Sequence, residues 1–319
     1  MVIPNWNSLQ HLTRCLGSLE NAAQGLEIEL LVVDNGSTDG SVEHLEREGV
    51  PHIALPRNTG FAAAVNLGAA RTGSGSILVL NADTALEPGS VALLLDALEA
   101  DPGLGGAQPR TLQLDPGAAE EGPRVYSVGQ SLTRDGRGIE EAAGQLQRPE
   151  HLAPSEPFGV CGAACLLRRE LFSGLGGYDE SYVSFCEDVD LNVRARIAGW
   201  RFATVPEAVV WHVGNAVWQA GFADPGAENA RLVARNRLAT QLKFMPAASI
   251  PRIAAVEAGA LAKSVAQRRF AATARGKLEA LRRLPELRRE RRRLAASGDL
   301  SRARAWLGEA PAPRPESGH

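Results

Sequence analysis

The sequence predicts an α/β protein with a mostly parallel, Rossmann-like central sheet, flanked by helices and followed by a C-terminal helical extension. Short apolar runs alternate with helical patterns over residues 1–110. Helical patterns return at about residue 228 and dominate the rest of the chain. The hydrophobic fraction of 44% over 319 residues suffices for a large core, which excludes a disordered chain and a small disulfide-stapled module.

Five apolar runs are the predicted strands of the first half, at 2–3, 28–33, 51–55, 77–80 and, more weakly, 104–108. The stretches between them have the pattern of helices, at 8–22, 39–48, 61–71 and 88–100. Strands that alternate with helices form βαβ units and parallel sheets. Because ligands of such sheets bind at the carboxyl ends of the strands, the residues after each run are the functional candidates.

The second half of the chain has a less regular pattern. Residues 111–156 lose periodicity and predict either a long variable loop or a small hairpin insertion. A helix is predicted over 187–198, followed by short strands at 201–205 and 208–212. A loop to about 226 precedes helices at 228–244 and from 252 on, and residues 309–319 are predicted to be disordered.

Composition and charge narrow the classes of function. No uncharged apolar run approaches ~18 residues, and the N-terminus lacks the features of a signal peptide, so we expect a cytoplasmic protein. Cys15, Cys161, Cys165 and Cys186 have no zinc-type CxxC spacing and are interpreted as reduced thiols. The net charge of −3 combines −11 over residues 1–267, +9 over 268–304 and −1 over 305–319, which disfavours a nucleic-acid-binding protein.

The basic tail has leucines at near-helical spacing, surrounded by arginines and interrupted by Pro285. Two interpretations remain open. The tail is either a solvated helix packed on the body or on another chain, or an amphipathic helix on an anionic membrane surface. The leucines concerned are Leu278, Leu281, Leu284, Leu287 and Leu294.

Two polar turns follow the second and third strands. In VVDNGSTDGS (32–41), Asp34 ends a strand and could accept hydrogen bonds from a base or a ribose, although a plain capped turn explains the pattern equally. In RNTGFAAAVN (57–66), Gly60 allows close approach of a ligand, and Asn66 follows on the next helix. Neither turn is a GxGxxG fingerprint or a P-loop, which disfavours hydride transfer and ATP hydrolysis.

Three further patterns carry carboxylates or a histidine. Asp83 follows the strand of LVLNADT (78–84), where a carboxylate can hold a divalent cation against a diphosphate, and His212 ends an apolar strand as a candidate second ligand. Glu187, Asp188 and Asp190 cluster at a helix start. Such clustering suits a general base, whereas the alternative is a helix N-terminus that simply favours acids.

In this order, the motifs resemble those of the family 2 glycosyltransferases, which have the GT-A fold, and most closely their rhamnosyltransferase branch. The resemblance spans residues 1 to about 245 and includes the long block CGAACLLRRELFSGLGGYDESYVSFCEDVDLNVRARIAGWRFATVPEAVVWHVG (161–214). It implies a GT-A domain over 1–245, made of a nucleotide-binding half (1–110), a variable insertion (111–156) and an acceptor and catalytic half (157–245). A helical basic tail over 246–308 would follow.

The resemblance also implies roles for single residues. Asp188 matches the catalytic base, with Glu187 beside it, and Asp83 and His212 match the ligands of a divalent cation, Mg²⁺ or Mn²⁺. Asn81 departs from the family's Asp-x-Asp motif and leaves one carboxylate there. The acceptor side would include Gly162, Ala163 and Asp179. The nucleotide-sugar site would comprise Asp34, Asn35, Ser37, Asn58, Gly60, Phe61, Asn66, Asn81 and Asp83.

The resemblance thus implies an inverting, metal-dependent hexosyltransferase for surface polysaccharide synthesis. dTDP-rhamnose is the favoured donor, with UDP-sugars next, and the acceptor is a glycan or a polyprenyl-linked glycan. The basic tail offers a peripheral contact with the inner face of the membrane or a homodimer surface. The alternatives are a catalytically silent nucleotide-sugar-binding scaffold and a sugar nucleotidyltransferase, although no Gly-rich loop with a lysine lies near the N-terminus.

Overall fold

The computed structural model describes residues 1–114, 122–214 and 225–308. It confirms the α/β class, with helices on both faces of a central sheet and a helical region at the C-terminal end. The predicted disorder of 309–319 and most of the predicted loop before residue 226 lie outside the described residues. No helix in the described part of the chain is both long and apolar enough to span a bilayer.

Within the described residues, nine strands form the central sheet, in the order β3-β2-β1-β4-β10-β6-β11-β5, with β7 paired to β6. The first four in this order run parallel, as predicted, whereas β10 runs antiparallel to both of its neighbours. The nine strands are β1 (Val2–Asn5), β2 (Leu31–Asp34), β3 (His52–Ala54), β4 (Ser76–Leu80), β5 (Thr84–Leu86), β6 (Leu104–Gln113), β7 (Val125–Ser127), β10 (Ala164–Arg168) and β11 (Arg201–His212).

A second, three-stranded sheet has the order β12-β8-β9. It consists of β8 (Gln130–Thr133), β9 (Gly138–Glu140) and β12 (Leu307–Gly308). β8 and β9 form an antiparallel hairpin, so the hairpin alternative is the correct one for the region 111–156. β12 pairs with β8, which ties the end of the described chain to this insertion.

Most helices of the body agree with the predicted ones to within a few residues, whereas the short helix Arg169–Gly174 was not predicted. They are α1 (Leu9–Ala22), α2 (Ser41–Arg47), α3 (Phe61–Ala70), α4 (Ser90–Ala100), α5 (Arg169–Gly174), α6 (Glu187–Ala198) and α7 (Pro225–Phe244). The tail continues as α8 (Ile250–Ala266), α9 (Phe270–Arg282), α10 (Leu284–Ser297) and α11 (Leu300–Arg304).

Two apolar layers cover the faces of the central sheet. One includes Leu12 and Leu94 from α1 and α4, and the other includes Val65 and Leu171 from α3 and α5, all of them fully buried. Strands β1, β2 and β4 are therefore buried on both sides, as expected for a parallel sheet between helices, whereas the edge strand β3 is partly exposed.

The predicted strands at 201–205 and 208–212 are one strand, β11, in which the pairing register shifts between Val205 and Val209. Pro206 lies in this shift, where a residue without an amide hydrogen is tolerated. β6 extends to Gln113, five residues beyond the predicted end, because β11 continues to pair with it.

The tail helices pack on the body, which is one of the two interpretations made from the sequence. Leu287 is 1% exposed and packs among the apolar residues of α7 and α9. Pro285 lies in the first turn of α10, where its missing amide hydrogen costs nothing, so it separates two helices. Leu278 and Leu281 remain 47% and 51% exposed.

Candidate active site

A cavity of about 300 Å³ opens at the carboxyl end of β4 and collects many of the predicted site residues. Its wall includes residues that lie far apart in the chain. Those that the sequence predicted are Phe61, Asn81, Gly162, Ala163, Glu187, Asp188 and His212. Asp83 does not line the cavity itself but contacts His212 directly behind the wall.

Strand pairing explains why Asp83 and His212 meet. β5 runs antiparallel to β11 with Thr84 opposite His212, so the residue before Thr84 lies beside the imidazole. Oδ1 of Asp83 is 3.0 Å from Nε2 of His212, and Nδ2 of Asn81 is 3.2 Å from the same nitrogen. The two ionisable side chains are only 3% and 2% exposed.

These residues fit a divalent cation. Burial alone would raise the pKa of Asp83, but the hydrogen bond and charge of His212 lower it below its usual value, so the carboxylate stays ionised. Nδ1 of His212 has no hydrogen-bond partner within the described residues. A separation of 3.0 Å also matches two adjacent ligands on an ion with bonds of about 2.1 Å.

Asp188 lies in the first turn of α6 and is held by three donors. Its Oδ2 accepts hydrogen bonds from the amide of Gly162 at 2.9 Å and from Nε2 of Gln130 at 2.8 Å. Its Oδ1 accepts one from the amide of Val189 at 2.8 Å. Burial raises the pKa of Asp188 despite these donors, which is the direction a general base at neutral pH requires.

Glu187 precedes Asp188 and is 6% exposed. Burial and the charges of Asp188 and Asp190 raise the pKa of Glu187 to about 8. Its Oε2 has no hydrogen-bond partner among the residues described. Glu187 is therefore protonated at neutral pH, so of the two adjacent acids Asp188 is the better base.

The segment before α6 has an unusual backbone. Val183, Phe185 and Cys186 have φ angles of 64°, 70° and 65°, a region that side-chain-bearing residues seldom adopt. Nδ2 of Asn236 lies within 2.9 Å of the carbonyl oxygens of Tyr182, Ser184 and Phe185 and holds the segment in place. Strain of this kind is concentrated at functional sites.

Sequence reasoning missed four cavity residues that come from the insertion: Tyr126, Gln130, Gly138 and Glu140. The Tyr126 ring packs edge-on against His212 with centroids 4.3 Å apart, and Glu140 shares Gln130 with Asp188. Burial and the Asp188 charge raise the pKa of Glu140 to about 7. No local signal marked these residues, because the insertion has no regular periodicity.

Glu140, Cys161 and Asp188 place one ligand atom each within 4.8 Å of one another, which makes them a second group that could bind a cation. Burial raises the pKa of all three, in the case of Cys161 well above its ordinary value. The raised pKa of the Cys161 thiol keeps its proton in place, and a metal ligand has to be deprotonated. Asp83 with His212 is therefore the better cation site.

The turn after β2 uses its polar groups internally. The Asp34 carboxylate is fully buried and accepts hydrogen bonds from Nδ2 of Asn5 at 2.7 Å and from the Ser37 hydroxyl at 2.6 Å and amide at 2.8 Å. Nδ2 of Asn35 donates to the carbonyl of Gly60 at 3.3 Å, which joins this turn to the next one. Asp34 thus shapes the turn and presents no free carboxylate.

The turn after β3 leads into the cavity. Oδ1 of Asn58 accepts from the amide of Gly60 at 2.8 Å, and Phe61 lines the cavity wall. Gly60 has φ 94°, and a Cβ there would lie 2.6 Å from the carbonyl oxygen of Val183. Only glycine permits this close approach of the turn to the segment before α6.

Asn66 and Asp179 are not brought to the central cavity. Nδ2 of Asn66 donates to the carbonyl of Tyr178 at 2.9 Å and to Glu180 at 3.0 Å, beside a separate groove between α3 and α5. The Asp179 carboxylate accepts from the Ser181 amide at 3.1 Å and lies 3.2 Å from Nζ of Lys243. Both side chains hold the 178–182 segment in place.

Comparison with known proteins identifies the family to which the sequence is similar. A family model described as glycosyl transferase family 2 matches residues 1–176. An N-acetylglucosaminyl-diphospho-decaprenol L-rhamnosyltransferase of Mycobacterium tuberculosis is 34% identical over 227 residues, covering 63% of this chain and 71% of the relative. The succinoglycan biosynthesis protein ExoA of Rhizobium meliloti is 27% identical over 209 residues, covering 63% of this chain and 58% of that protein.

Solved structures share the fold. GalNAc-T7, solved with UDP, GalNAc and Mn²⁺, superposes with a TM-score of 0.56 at 17% identity over 73% of this chain, and this chain spans 47% of its length. A mannosyltransferase from Pyrobaculum calidifontis, solved with GDP-Man and Mn²⁺, has a TM-score of 0.50 at 17% identity, covering 95% of this chain and 85% of that one. At such identities the likeness shows the GT-A fold alone.

Proposed function

This chain belongs to glycosyltransferase family 2, and from that premise we propose that it transfers a sugar from a nucleoside diphosphate to a hydroxyl of a glycan or lipid-linked glycan, with inversion. The observation that carries the proposal is the meeting of Asn81, Asp188 and His212 around one cavity, with Asp83 directly behind it. Separate surfaces for the cation site and the carboxylate would have excluded the reaction.

Rhamnose is the favoured sugar, with dTDP-rhamnose as donor and UDP-sugars next. The support is the name of the M. tuberculosis relative, a rhamnosyltransferase acting on a decaprenol-linked N-acetylglucosamine. The same name supports a polyprenyl-linked acceptor for this chain.

Asp83 and His212 would hold the divalent cation, Mg²⁺ or Mn²⁺. When bound there, the ion supplies positive charge that stabilises the leaving diphosphate. His212 is kept in place by Asn81 at 3.2 Å and by the edge-on ring of Tyr126. The proposed site therefore has one carboxylate, from Asp83, and a histidine that two uncharged side chains hold in place.

Asp188 acts as the base. Its carboxylate takes the proton from the acceptor hydroxyl as that oxygen attacks the anomeric carbon, and the bond from this carbon to the diphosphate oxygen breaks with its electron pair. The amides of Gly162 and Val189 orient the carboxylate through opposite oxygens. A single displacement inverts the anomeric centre and needs no nucleophilic side chain.

Asp188→Asn tests the assignment. We expect normal thermal stability and a loss of transfer of about 10²–10⁴-fold, since a general base contributes this much. The matched control is Asp96→Asn on the exposed side of α4, which should leave turnover unchanged. Turnover of Asp188→Asn within a few-fold of the unsubstituted enzyme would remove Asp188 from the mechanism. If the unsubstituted protein binds nucleotide-sugars but neither transfers nor hydrolyses them, the alternative of a catalytically silent scaffold is favoured.

The donor and the cation are tested by thermal shift. Each nucleotide-sugar is added with Mg²⁺, with Mn²⁺ or with EDTA, because a ligand that binds only the folded state raises Tm. We expect the largest shift from dTDP-rhamnose with a cation. Asp83→Ala should abolish the part of the shift that depends on the cation, and an unchanged shift would exclude Asp83 as a ligand.

We also propose that the tail contacts the inner face of an anionic membrane. Val265, Phe270, Leu278 and Leu281 are 60%, 49%, 47% and 51% exposed on α8 and α9. Residues 268–304 carry a net charge of +9, which complements anionic lipids. Because Leu287 of α10 is buried, the exposed large apolar side chains of the pair α9 and α10 are those of α9.

The membrane proposal is tested with a triple variant in which Phe270, Leu278 and Leu281 become serine. Flotation with phosphatidylglycerol vesicles should fall severalfold relative to the unsubstituted chain, while phosphatidylcholine vesicles bind neither protein. Leu93→Ser on α4, which is 37% exposed, is the control. Unchanged flotation would refute the proposal, and loss of a dimer on gel filtration would instead assign the face to a second copy of the chain.

A further inference from the structure

The cavity contains a second carboxylate, from an element far from α6 in sequence. Glu140 ends β9 in the insertion, and its Oε1 accepts a hydrogen bond of 2.8 Å from Nε2 of Gln130. The same nitrogen donates to Oδ2 of Asp188, also at 2.8 Å. One amide group thus holds both carboxylates, and each has an oxygen within 4.8 Å of the other.

The orientation of the Gln130 amide is determined by its other neighbours. Nδ2 of the fully buried Asn192 donates to the carbonyl of Val160 and to Oε1 of Gln130, both at 2.8 Å. Turning either amide would place oxygen against oxygen, at a buried position where that is costly. Nε2 of Gln130 therefore faces the two carboxylates, and Gln130, at 2% exposure, is a rigid support for both.

Both carboxylates retain capacity to accept further hydrogen bonds from the cavity. The Glu140 carboxylate accepts from the Ser127 hydroxyl at 2.5 Å through Oε2 and from Gln130 through Oε1, and the Cys161 thiol is a third donor to it. A carboxylate offers about four acceptor sites. No lysine or arginine among the described residues forms an ion pair with Glu140 or Asp188, so these acceptors are not satisfied by a fixed cation.

The two carboxylates on the Gln130 amide disfavour a phosphate beside them. Glu140 and Asp188 share that amide, whereas His212 lies 3.2 Å from Asn81 and contacts Asp83 behind the cavity wall. Acceptors without fixed cations suit neutral donors such as sugar hydroxyls. The acceptor therefore belongs beside Glu140 and the diphosphate beside Asp83 and His212.

We propose that Glu140 and Asp188 together bind two neighbouring hydroxyls of the acceptor sugar, so that the enzyme takes acceptors with a vicinal diol. Asp188 removes the proton from the attacking hydroxyl, and Glu140 accepts a hydrogen bond from the adjacent one. Gln130 is a positioning residue for both. This inference rests on the proposed function and adds the acceptor class to it.

The titratable side chains around Glu140 and Asp188 are acids, thiols and phenols. Asp188 and Glu140 are faced by Glu187 from α6, Cys161 and Tyr126 from the cavity wall, Cys165 from β10, and Tyr178 and Cys186 from the loops before α6. Assays at pH 8, above the pKa of Glu140 of about 7, keep Glu140 mainly ionised.

The test crosses enzyme variants with acceptor analogues. The acceptor probe is N-acetylglucosaminyl diphosphate on a short polyprenol, and the product linkage identifies the attacked hydroxyl. Monodeoxy probes then lack one hydroxyl next to it. For one such probe, the unsubstituted enzyme should lose about 10- to 100-fold in kcat/KM, the range of a hydrogen bond to a charged group.

Glu140→Gln should lose a similar factor in kcat/KM on the full probe. The loss should come from a higher KM for the acceptor, while the KM for the donor stays unchanged. On the critical deoxy probe it should lose little more, because the same hydrogen bond is already absent. Glu141→Gln, whose carboxylate accepts instead from Ser131 at 2.5 Å, is the matched control and should behave as the unsubstituted enzyme. A purely structural role of Glu140 would give equal losses on both probes.

Equal losses on both probes, or no loss in Glu140→Gln, would overturn the inference. Should Glu140→Gln fail to fold, Glu140→Asp serves, because the shortened carboxylate should lose more on the full probe than on the deoxy probe. The proposed function fails separately, when the unsubstituted enzyme transfers no sugar from any donor to the full probe.

Discussion

Lys243 connects the tail to the helix that carries Asp188, and replacing it with methionine should destabilise the protein strongly. Its ammonium lies 2.7 Å from Asp190, 3.2 Å from Asp179 and 2.9 Å from Glu290, and its side chain is 4% exposed. Burial alone would lower the pKa of Lys243, but the charges of Asp190 and Asp179 raise it above its ordinary value. The ammonium is therefore charged at every pH of interest.

The expected magnitude follows from what the substitution leaves behind. Asp190 is fully buried and would retain Arg194, whose Nε lies 2.6 Å from its carboxylate, and a long hydrogen bond of 3.4 Å from the Tyr182 hydroxyl. Glu290 would lose its partner at 25% exposure. Removing one member of a buried ion pair costs about 3–5 kcal/mol of unfolding free energy, which corresponds to roughly 4–8 °C in Tm for a chain of 319 residues.

The assay is thermal and urea unfolding followed by circular dichroism. Arg148→Met is the control, because Arg148 and Glu150 are 3.8 Å apart and more than 60% exposed, where a pair contributes about 0.5 kcal/mol or less. The pKa of Asp190 is lowered by Arg194 and Lys243 against the effect of burial, so its stabilisation exists above the unfolded pKa and disappears as pH falls through the folded one. The difference between Lys243→Met and the unsubstituted protein should shrink accordingly in acid. A loss at pH 7 no larger than that of Arg148→Met would refute the reasoning.

Three further predictions concern single sites. Gly60→Ala should lower the free energy of unfolding by at least about 1–3 kcal/mol, since φ is 94° and the new Cβ would meet a carbonyl oxygen at 2.6 Å. Gly17→Ala, with open space inside α1, should instead raise it by about 0.5–1 kcal/mol. Equal effects of the two substitutions would contradict the packing of the turn. Leu287→Ala, at 1% exposure, should cost about 2–5 kcal/mol and Leu278→Ala, at 47%, about 0.5 kcal/mol or less, and the reverse order would mean that the tail does not pack as described. The pKa of Glu187 is raised to about 8, so the folded protein keeps a proton that the unfolded chain releases from about pH 4.5, and the stability of the fold decreases as pH rises between these values. The Tm of Glu187→Gln should therefore increase relative to that of the unsubstituted protein as pH rises from 5 to 8. A Tm difference that stays constant over this range would disprove the raised pKa.

The proposed cation site shows what local sequence patterns can predict and what they cannot. Asp83 and His212 each follow an apolar strand, and that position alone made them candidates. Their meeting required the antiparallel pairing of β5 with β11, which no periodicity reports. The family resemblance supplied this link, because the order of the motifs is shared even where the pairing cannot be read from the residues.

Burial separated the polar candidates that the sequence treated alike. Asp34, Asn66 and Asp179 stand in motifs as specific as that of Asp188, yet their polar atoms are bonded within turns or to Lys243. A sequence pattern gives the residue type and its place after a strand. It does not report how many hydrogen-bond partners the fold will bring to the side chain.

The residues alone determined the alternation of strands and helices, the polar ends of the strands and the basic tail, because these depend on contacts between residues a few positions apart. Only the tertiary structure decided that the irregular insertion covers the cavity with Gln130 and Glu140, and that the tail leucines divide into buried Leu287 and exposed Leu278. These outcomes depend on strand pairing and helix packing between segments far apart in the chain. The hydrophobic effect rewards buried area without specifying the partner, so local composition leaves the partner open until the whole chain has packed.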